Sequence, residues 1–457
     1  MDAQVPRPLI PPAPKVHAKG QTNLRAAWSM MRNMVGAWSE ADFDTLMTPY
    51  TFLGQPGLVV SDPAGVKHVL GAQAARYRRP YQAGRIIRPL VGEGLLLTEG
   101  ETWRRQRKAL APSFTPKAIG SLLPHFIAAG HTLADGLTGQ TRGNLSERFH
   151  RAALDAVLRA LFSRPAAEDG AELAAIARTY LQGQSGLNLF DFLARKPGDF
   201  AFAERGRRRT GDAWMSAVAA LITGRKVAGP PLEGGDLLDS LLAARDEDGR
   251  PLPDAEVRDQ CGTLLAAGFE TTSRLLFWAT YLLALDPATQ GRVRAEVLAV
   301  PPDQIRTLDD LSAWPLLRSV LMEALRLYPP APLIAREVVL ADEILGHRVK
   351  PGQMIMISPW LIQRHRKLWD QPTAFLPDRF VDHPSPWGLD AFMPFGAGPR
   401  VCIGASFAMA EAQIMLGSLL ARFEIGLTRD RPVMPVATVS LGPDHEPDFS
   451  LTPIPHK

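Results

Sequence analysis

One cysteine, Cys402, stands in the loop Phe395-Gly396-Ala397-Gly398-Pro399-Arg400-Val401-Cys402-Ile403-Gly404, just before a long apolar, helix-forming run. This stretch constrains the fold more than any other. Glycines at 396 and 398 open backbone conformations closed to other residues and let the chain pass close to something flat. A cysteine at a helix N-terminus has its thiolate favoured by the helix dipole and unpaired backbone N–H groups. Donors aimed at the sulfur tune a metal–thiolate bond. Gly404 leaves no side chain beside the sulfur on the first turn of the helix, and Arg400 can project sideways to meet an anion. The loop reads as a thiolate displayed for a metal.

The pattern F-G-x-G-x-R-x-C-x-G resembles the haem-binding loop of the cytochrome P450 superfamily, whose cysteine is the proximal iron ligand. The resemblance implies haem b held by the Cys402 thiolate, with Phe395, Arg400 and Gly404 in the cofactor-binding loop. It also implies a mainly α fold with small β-sheets, a helix-rich triangular prism joined to a β-rich lobe. The expected organisation is a proline-rich leader, residues 1–22, followed by one domain, 23–457, whose two lobes enclose the haem.

Other motifs follow in the family's order. Trp103 and Arg107 lie i, i+4 on one helix face, and the resemblance assigns this W-x-x-x-R pair to a haem propionate. Arg104, Arg105 and Lys108 on the same helix read as a solvated face or as a basic patch for an acidic electron donor. Pro253 opens a long helix to Leu285, with acidic Asp254 and Glu256 in its first turn. Its centre, Ala266-Ala267-Gly268-Phe269-Glu270-Thr271-Thr272, is thinned by small residues, and Thr271 can bond back to the Ala267 carbonyl and leave a polar notch. This matches the family's A-G-x-[DE]-T-T motif, which implies that Glu270 and Thr271 relay protons during oxygen activation. Glu323 and Arg326 form the family's E-x-x-R, completed by Arg379 of Pro377-Asp378-Arg379-Phe380. Buried charges of this kind need full pairing, so the expected role is to lock the cysteine loop. Arg336 matches the strand arginine that pairs with a propionate.

The rest of the chain is read from pattern. A helix is expected over Asn23 to Met47 with Trp28, Met31, Met34 and Trp38 on one side, then a hairpin over Tyr50 to Ser61 turning at Gly-Gln-Pro-Gly, then a short helix from Asp62-Pro63 to Leu70. Arg76 to Glu93 reads as a loop over a pocket. Pro116 to Gly224 is helical, broken at Gly183-Gln184-Ser185-Gly186 and Lys196-Pro197-Gly198, as a mobile flap or as ordinary connections. Ala228 to Gly235 reads as loop. Strands follow Arg336, prolines from Pro372 to Pro394 mark a meander, and Ile403 to Phe423 is the helix behind the cysteine.

Composition sets outer bounds. A net charge of +4 is too small to argue for nucleic acid. Two cysteines, Cys261 and Cys402, exclude a disulfide scaffold and fit a reducing, cytoplasmic setting. No membrane anchor is expected, since the start is proline-rich and the Leu275 to Leu285 run is too short to span a bilayer.

The expectation is a monomeric haem-thiolate monooxygenase that inserts one atom of O2 into a hydrophobic small molecule. Leu264, Leu265, Leu333, Ile334 and Val439 are expected at an apolar substrate pocket. Arg85 or Arg88 could anchor a substrate carboxylate or simply be solvated. No flavin or ferredoxin domain is expected after Cys402, so electrons would come from an acidic ferredoxin or flavodoxin with its NAD(P)H reductase. The alternatives are a peroxygenase or isomerase needing no electron donor, and a non-catalytic haem-based sensor.

Overall fold

The structure, a computed structural model, describes residues 8–18, 23–52, 54–184, 186, 188–194, 198–229, 235–245, 249–381, 390–428 and 431–455. Ser185, Lys196 and Pro197 of the expected breaks, the 230–234 loop and the 382–389 part of the proline meander lie outside the described residues.

The proline-rich start is docked on the rest of the chain. The Leu9 carbonyl accepts from Phe375 N at 2.8 Å, and the Pro12 carbonyl accepts from the Tyr328 hydroxyl at 2.7 Å. The first helix is shorter than expected: α1 spans Asn23–Arg32 and stops at Asn33. Asn33 accepts from Val35 N and Ala437 N and donates to the Pro435 carbonyl, which ties it to the tail instead of to another helical turn. Trp28, expected on the packed side, is exposed beneath Arg32, while Trp38 is buried.

Strands β1 (Met47–Phe52) and β2 (Gln55–Val60) form the expected hairpin, but the turn falls earlier, at Gly54, and Gln55-Pro56-Gly57 belongs to the second strand. Gly57 faces Tyr50, whose ring lies where a β-carbon would be. The segment read as a pocket loop is instead β3 (Tyr77–Arg78) and α2 (Tyr81–Val91), with Pro89 inside the helix. Gly84 and Pro89 mask its periodicity. Ile86, Leu90 and Val91 are buried against later helices, and such packing, not propensity, stabilises a short helix.

Helices α3 (Gly100–Leu110), α4 (Leu123–Asp135), α5 (Leu145–Phe162), α6 (Ala166–Gly183), α7 (Leu189–Leu193) and α8 (Arg205–Ala228) follow, with the short strand β4 (Arg142–Gly143) before α5. Of these, α5 and α8 pack against α9 (Asp254–Leu285), whose residues are buried on nearly every side, as expected of a helix apolar all round. α10 (Pro315–Leu327) packs against α9 and leads into β5 (Ile334–Val338), β6 (Asp342–Ile344), β7 (His347–Val349) and β8 (Met354–Ile357). α11 (Ala405–Arg422) packs on α4 and α9, and the tail forms β9 (Phe423–Leu427), β10 (Pro435–Ala437), β11 (Leu441–Pro443) and β12 (Phe449–Pro453).

The largest sheet has the order β1-β2-β8-β5-β3, with β2 and β8 parallel and the other pairs antiparallel. Its apolar face carries a separate cluster that includes Val60, Val69, Ile355 and Ile357, while the helices share one continuous core. The architecture is helix-rich with several small sheets, as expected.

Candidate active site

The cysteine loop is shaped by its own glycines. Gly396 and Gly398 have φ of 77° and 70°, and a β-carbon on Gly398 would collide with the Leu70 carbonyl. Cys402 N donates to the Phe395 carbonyl at 2.9 Å and closes the loop. Cys402 stands ahead of α11, outside its first turn, with Gly404 at the N-cap. Burial raises the Cys402 thiol pKa, while the Gly404 N–H and the Arg107 guanidinium pull it down. Residue Cys402 keeps accessible surface although protein crowds its thiol. A β-carbon on Gly404 would sit 3.9 Å from Cys402 Sγ, an ordinary contact, so its N–H, not its missing side chain, serves the sulfur.

The expected charge network forms, and its hydrogen bonds reach the segment just before this loop. Arg326 donates from Nε and from its terminal nitrogen to the two Glu323 oxygens, both at 2.7 Å, with both side chains fully buried. Arg379 Nε and Leu376 N also reach Glu323, at 3.2 and 2.9 Å. The remaining Arg326 donors meet the carbonyls of Gln363, Pro372 and Ala374. Gln363, which the sequence reading passed over, carries the link onward. Its amide donates to the Leu325 and Arg326 carbonyls and accepts from Met393 N at 2.9 Å, just before Phe395.

Beside the loop three arginines crowd together. Burial lowers Arg79 to about 9, with further lowering from Arg336 and Arg400. Burial, then Arg400, lowers Arg336 to about 10. The counter-charge is Glu99, paired with Arg400 and 4.0 Å from Arg79. Arg79 Nε and a terminal nitrogen of Arg400 are buried without a hydrogen-bond partner among the described residues. Buried guanidinium groups in excess of carboxylates, with donors to spare, fit a ligand bearing carboxylates, and the two haem propionates are such groups. Arg79 was not singled out from the sequence; a lone arginine after Tyr77-Arg78 carries no local signal. Trp103 lies under the Arg400 guanidinium, 4.5 Å from it. Arg107 is placed elsewhere, donating to the Val401 carbonyl at 3.0 Å.

The notch on α9 has the expected form. Thr271 Oγ1 donates to the Ala267 carbonyl at 2.8 Å, and Ala267 is exposed in a stretch of helix otherwise largely buried. Leu264 is half-buried nearby, as are Leu333, Ile334 and Val439 on their own segments. Leu265 departs from expectation: it has no exposed surface and belongs to the helical core, so it does not line the pocket. Glu270 is buried and fully engaged. Its oxygens contact His150 Nε2 at 2.9 Å, Arg274 Nε at 2.9 Å and Ser440 Oγ at 2.6 Å. Burial alone would raise its pKa, but Arg274, His150 and Ser440 outweigh that and hold it well below the usual carboxylate range.

The basic patch on α3 is partly answered within the chain. Arg104 pairs with Glu101, and Arg105 is bidentate to Glu256 at 2.9 and 2.7 Å. Arg88 pairs with Glu93 and Arg85 with Asp191, so Arg85 is buried and paired and not simply solvated. No helix among the described residues is long and apolar enough to cross a membrane.

Comparison with known proteins agrees with this geometry. The family model described as cytochrome P450 matches residues 43–447. Among curated relatives, pentalenene oxygenase of Streptomyces avermitilis is 31% identical over 360 residues, covering 78% of each chain. Cytokinin hydroxylase of Arabidopsis thaliana is 29% identical over 415 residues, 88% of this chain and 79% of that one. Putative cytochrome P450 132 of Mycobacterium tuberculosis is 28% identical over 450 residues, 93% of this chain and 96% of the relative.

Proposed function

This chain belongs to the cytochrome P450 family and is a haem-thiolate monooxygenase, and from that premise we propose which residues carry the reaction, on what substrate and with what electron source. When bound, haem supplies oxygen activation and insertion of one oxygen atom into a C–H bond. The chain's own residues do the rest. Cys402 supplies the thiolate ligand, favoured by the Gly404 N–H and the Arg107 charge. Arg79, Arg336 and Arg400 take the propionates, with Trp103 beneath Arg400 and Arg107 bracing the loop. The unpartnered donors of Arg79 and Arg400 are the observation that carries this assignment.

Thr271 Oγ1, turned to the exposed notch at Ala267, holds the proton nearest the reaction. Glu270 is the carboxylate of the relay: ionised at rest, it takes up a proton from its hydrogen-bonded donors His150 and Ser440 before one passes toward Thr271. Leu264, Leu333, Ile334 and Val439 face the substrate with apolar surface, which fits hydroxylation of a hydrophobic small molecule. Glu323, Arg326 and Arg379 keep the cysteine loop rigid. Electrons come from a separate acidic ferredoxin or flavodoxin with its NAD(P)H reductase, docking near α3, whose Arg104 and Lys108 are exposed beside the cysteine loop. The protein acts as a cytoplasmic monomer.

The test is spectroscopic and then catalytic. The reduced, carbon-monoxide-bound wild type should show the thiolate-type band, and Cys402→Ser should lose it along with hydroxylation. A hydrophobic library should contain compounds that shift the haem from low to high spin and raise NAD(P)H-coupled oxygen consumption. Retention of the thiolate band in Cys402→Ser would overturn the ligand assignment. Turnover with peroxide but none with any reductase system would overturn the electron-source assignment.

A further inference from the structure

The paired threonines of α9 do different work. Thr271 bonds back along its own helix, to the Ala267 carbonyl. Thr272 does not follow suit: its hydroxyl donates across the interface to Glu411 Oε2 on α11, at 3.0 Å. The two helices so joined are the ones that carry Thr271 and follow Cys402. Glu411 and Thr272 are both essentially without accessible surface. Among the described residues Glu411 Oε1 has no hydrogen-bond partner, and burial and the Thr272 hydroxyl are the influences upon the carboxyl.

An ionised carboxylate in this setting would be prohibitive. Removing such a charge from water costs several kcal/mol even after relaxation, on the order of what a buried ion pair must recover, and one hydroxyl cannot recover it. The alternative is the neutral acid, and burial raises the Glu411 pKa well above the usual carboxylate range accordingly. With the proton on Oε1, Oε2 is a carbonyl acceptor that suits the Thr272 donor.

We propose that Glu411 is a permanently protonated carboxylic acid that, through Thr272, fixes the helix following Cys402 to the helix carrying Thr271. The pair are positioning residues, and they act on the width and alignment of the haem slot. This rests on the reading of Cys402 and Thr271 as two walls of that slot. A neutral brace suits the position: it is insensitive to salt and places no charge between the two walls.

The test uses the full-length haem-loaded protein and two isosteric variants. An infrared difference spectrum between wild type and Glu411→Gln should contain the C=O band of a protonated carboxyl throughout the neutral pH range. In Thr272→Val that band should move to higher frequency, because its hydrogen bond is gone. Haem transfer to an apo-globin acceptor should be about as fast in Glu411→Gln as in wild type, since the amide oxygen still accepts from Thr272. It should be roughly fivefold faster in Thr272→Val, the loss expected for one buried hydrogen bond. A difference spectrum showing only carboxylate bands would overturn the protonation. Wild-type haem retention in folded Thr272→Val would overturn the brace. If no haem binds to any form, the functional reading falls while the infrared band still decides the state of Glu411.

Discussion

Arg85 Nε donates to Asp191 Oδ1 at 3.0 Å and so joins α2 to α7 across 106 residues of sequence. Asp191 accepts further from Arg207 at 2.8 and 2.7 Å and from Asn188 N at 2.9 Å, so both of its oxygens are saturated. The side chains of Arg85, Asp191 and Arg207 are at most 4% exposed. The two segments expected to cap the pocket are thus held together by one buried carboxylate. Burial opposes its ionisation, but the Arg207 and Asn188 hydrogen bonds prevail and lower the Asp191 pKa.

Asp191→Asn takes from two buried guanidinium groups the carboxylate they share, leaving Arg85 only the longer 3.4 Å contact with Glu204. Breaking a buried pair this way costs about 3–5 kcal/mol, here concentrated on α2, α7 and the start of α8. Faster amide exchange and proteolytic nicking in α7, together with faster substrate association, are the expected results. Because the folded pKa is depressed, the latch contributes fully above the unfolded carboxylate pKa of about 3.9 and is lost as pH falls through the lower folded value. Unchanged exchange in α7 would show that the latch does not hold the cap.

Arg79→Leu removes one of three crowded cations and a donor that lacks a protein partner. Its repulsion on Arg336 and Arg400 disappears with it, so the apoprotein should be no less stable in chemical denaturation. Haem affinity should fall by about tenfold, the effect of one charge-assisted hydrogen bond of roughly 1.5–3 kcal/mol partly screened by its neighbours. A haem-titration curve superimposable on that of wild type would remove Arg79 from the site.

Glu323→Ala strands Arg326 in the core with no carboxylate and loosens Leu376 and Arg379. A loss of about 3–5 kcal/mol is expected, read as a lower denaturation midpoint. The cysteine loop should suffer with it, so that the reduced carbon-monoxide complex loses its thiolate band before the helices melt. Simultaneous loss of both signals would argue that Glu323 supports the whole fold and not the loop in particular.

Glu411→Gln should change how stability depends on pH. In wild type the folded acid keeps its proton while the unfolded one ionises above about pH 4.3. Folding therefore takes up a proton, and stability falls as pH rises from that value toward the raised folded pKa, by up to about 1.4 kcal/mol per pH unit. The glutamine variant lacks this term. Its stability relative to wild type should rise between pH 4.5 and 7, and parallel curves over that range would mean that Glu411 is ionised in the folded state.

Much of the site is legible in order along the chain. The cysteine loop, the Thr271 notch and the Glu323–Arg326 pair each lie within one turn of helix or one short loop, where spacing alone decides which groups can meet. The same local logic failed where a helix depends on distant packing, as in α2, and where one side chain has two possible directions, as in Leu265, which turns to the core while Leu264 stays half-buried. It also overran α1, because the partner that stops it at Asn33 is the tail.

By itself, then, the sequence determined the chemistry: a thiolate loop, a thinned polar helix and a buried acid–base lock, all specified by residues a few positions apart. The tertiary structure alone decided the partners. Arg85 with Asp191, Arg79 with Arg336 and Arg400, His150 with Glu270, Gln363 with Met393 and Thr272 with Glu411 are all remote in sequence. The physical reason is desolvation. A charged or polar group taken out of water must be paired or neutralised, and which of these happens depends on what the packed helices bring beside it.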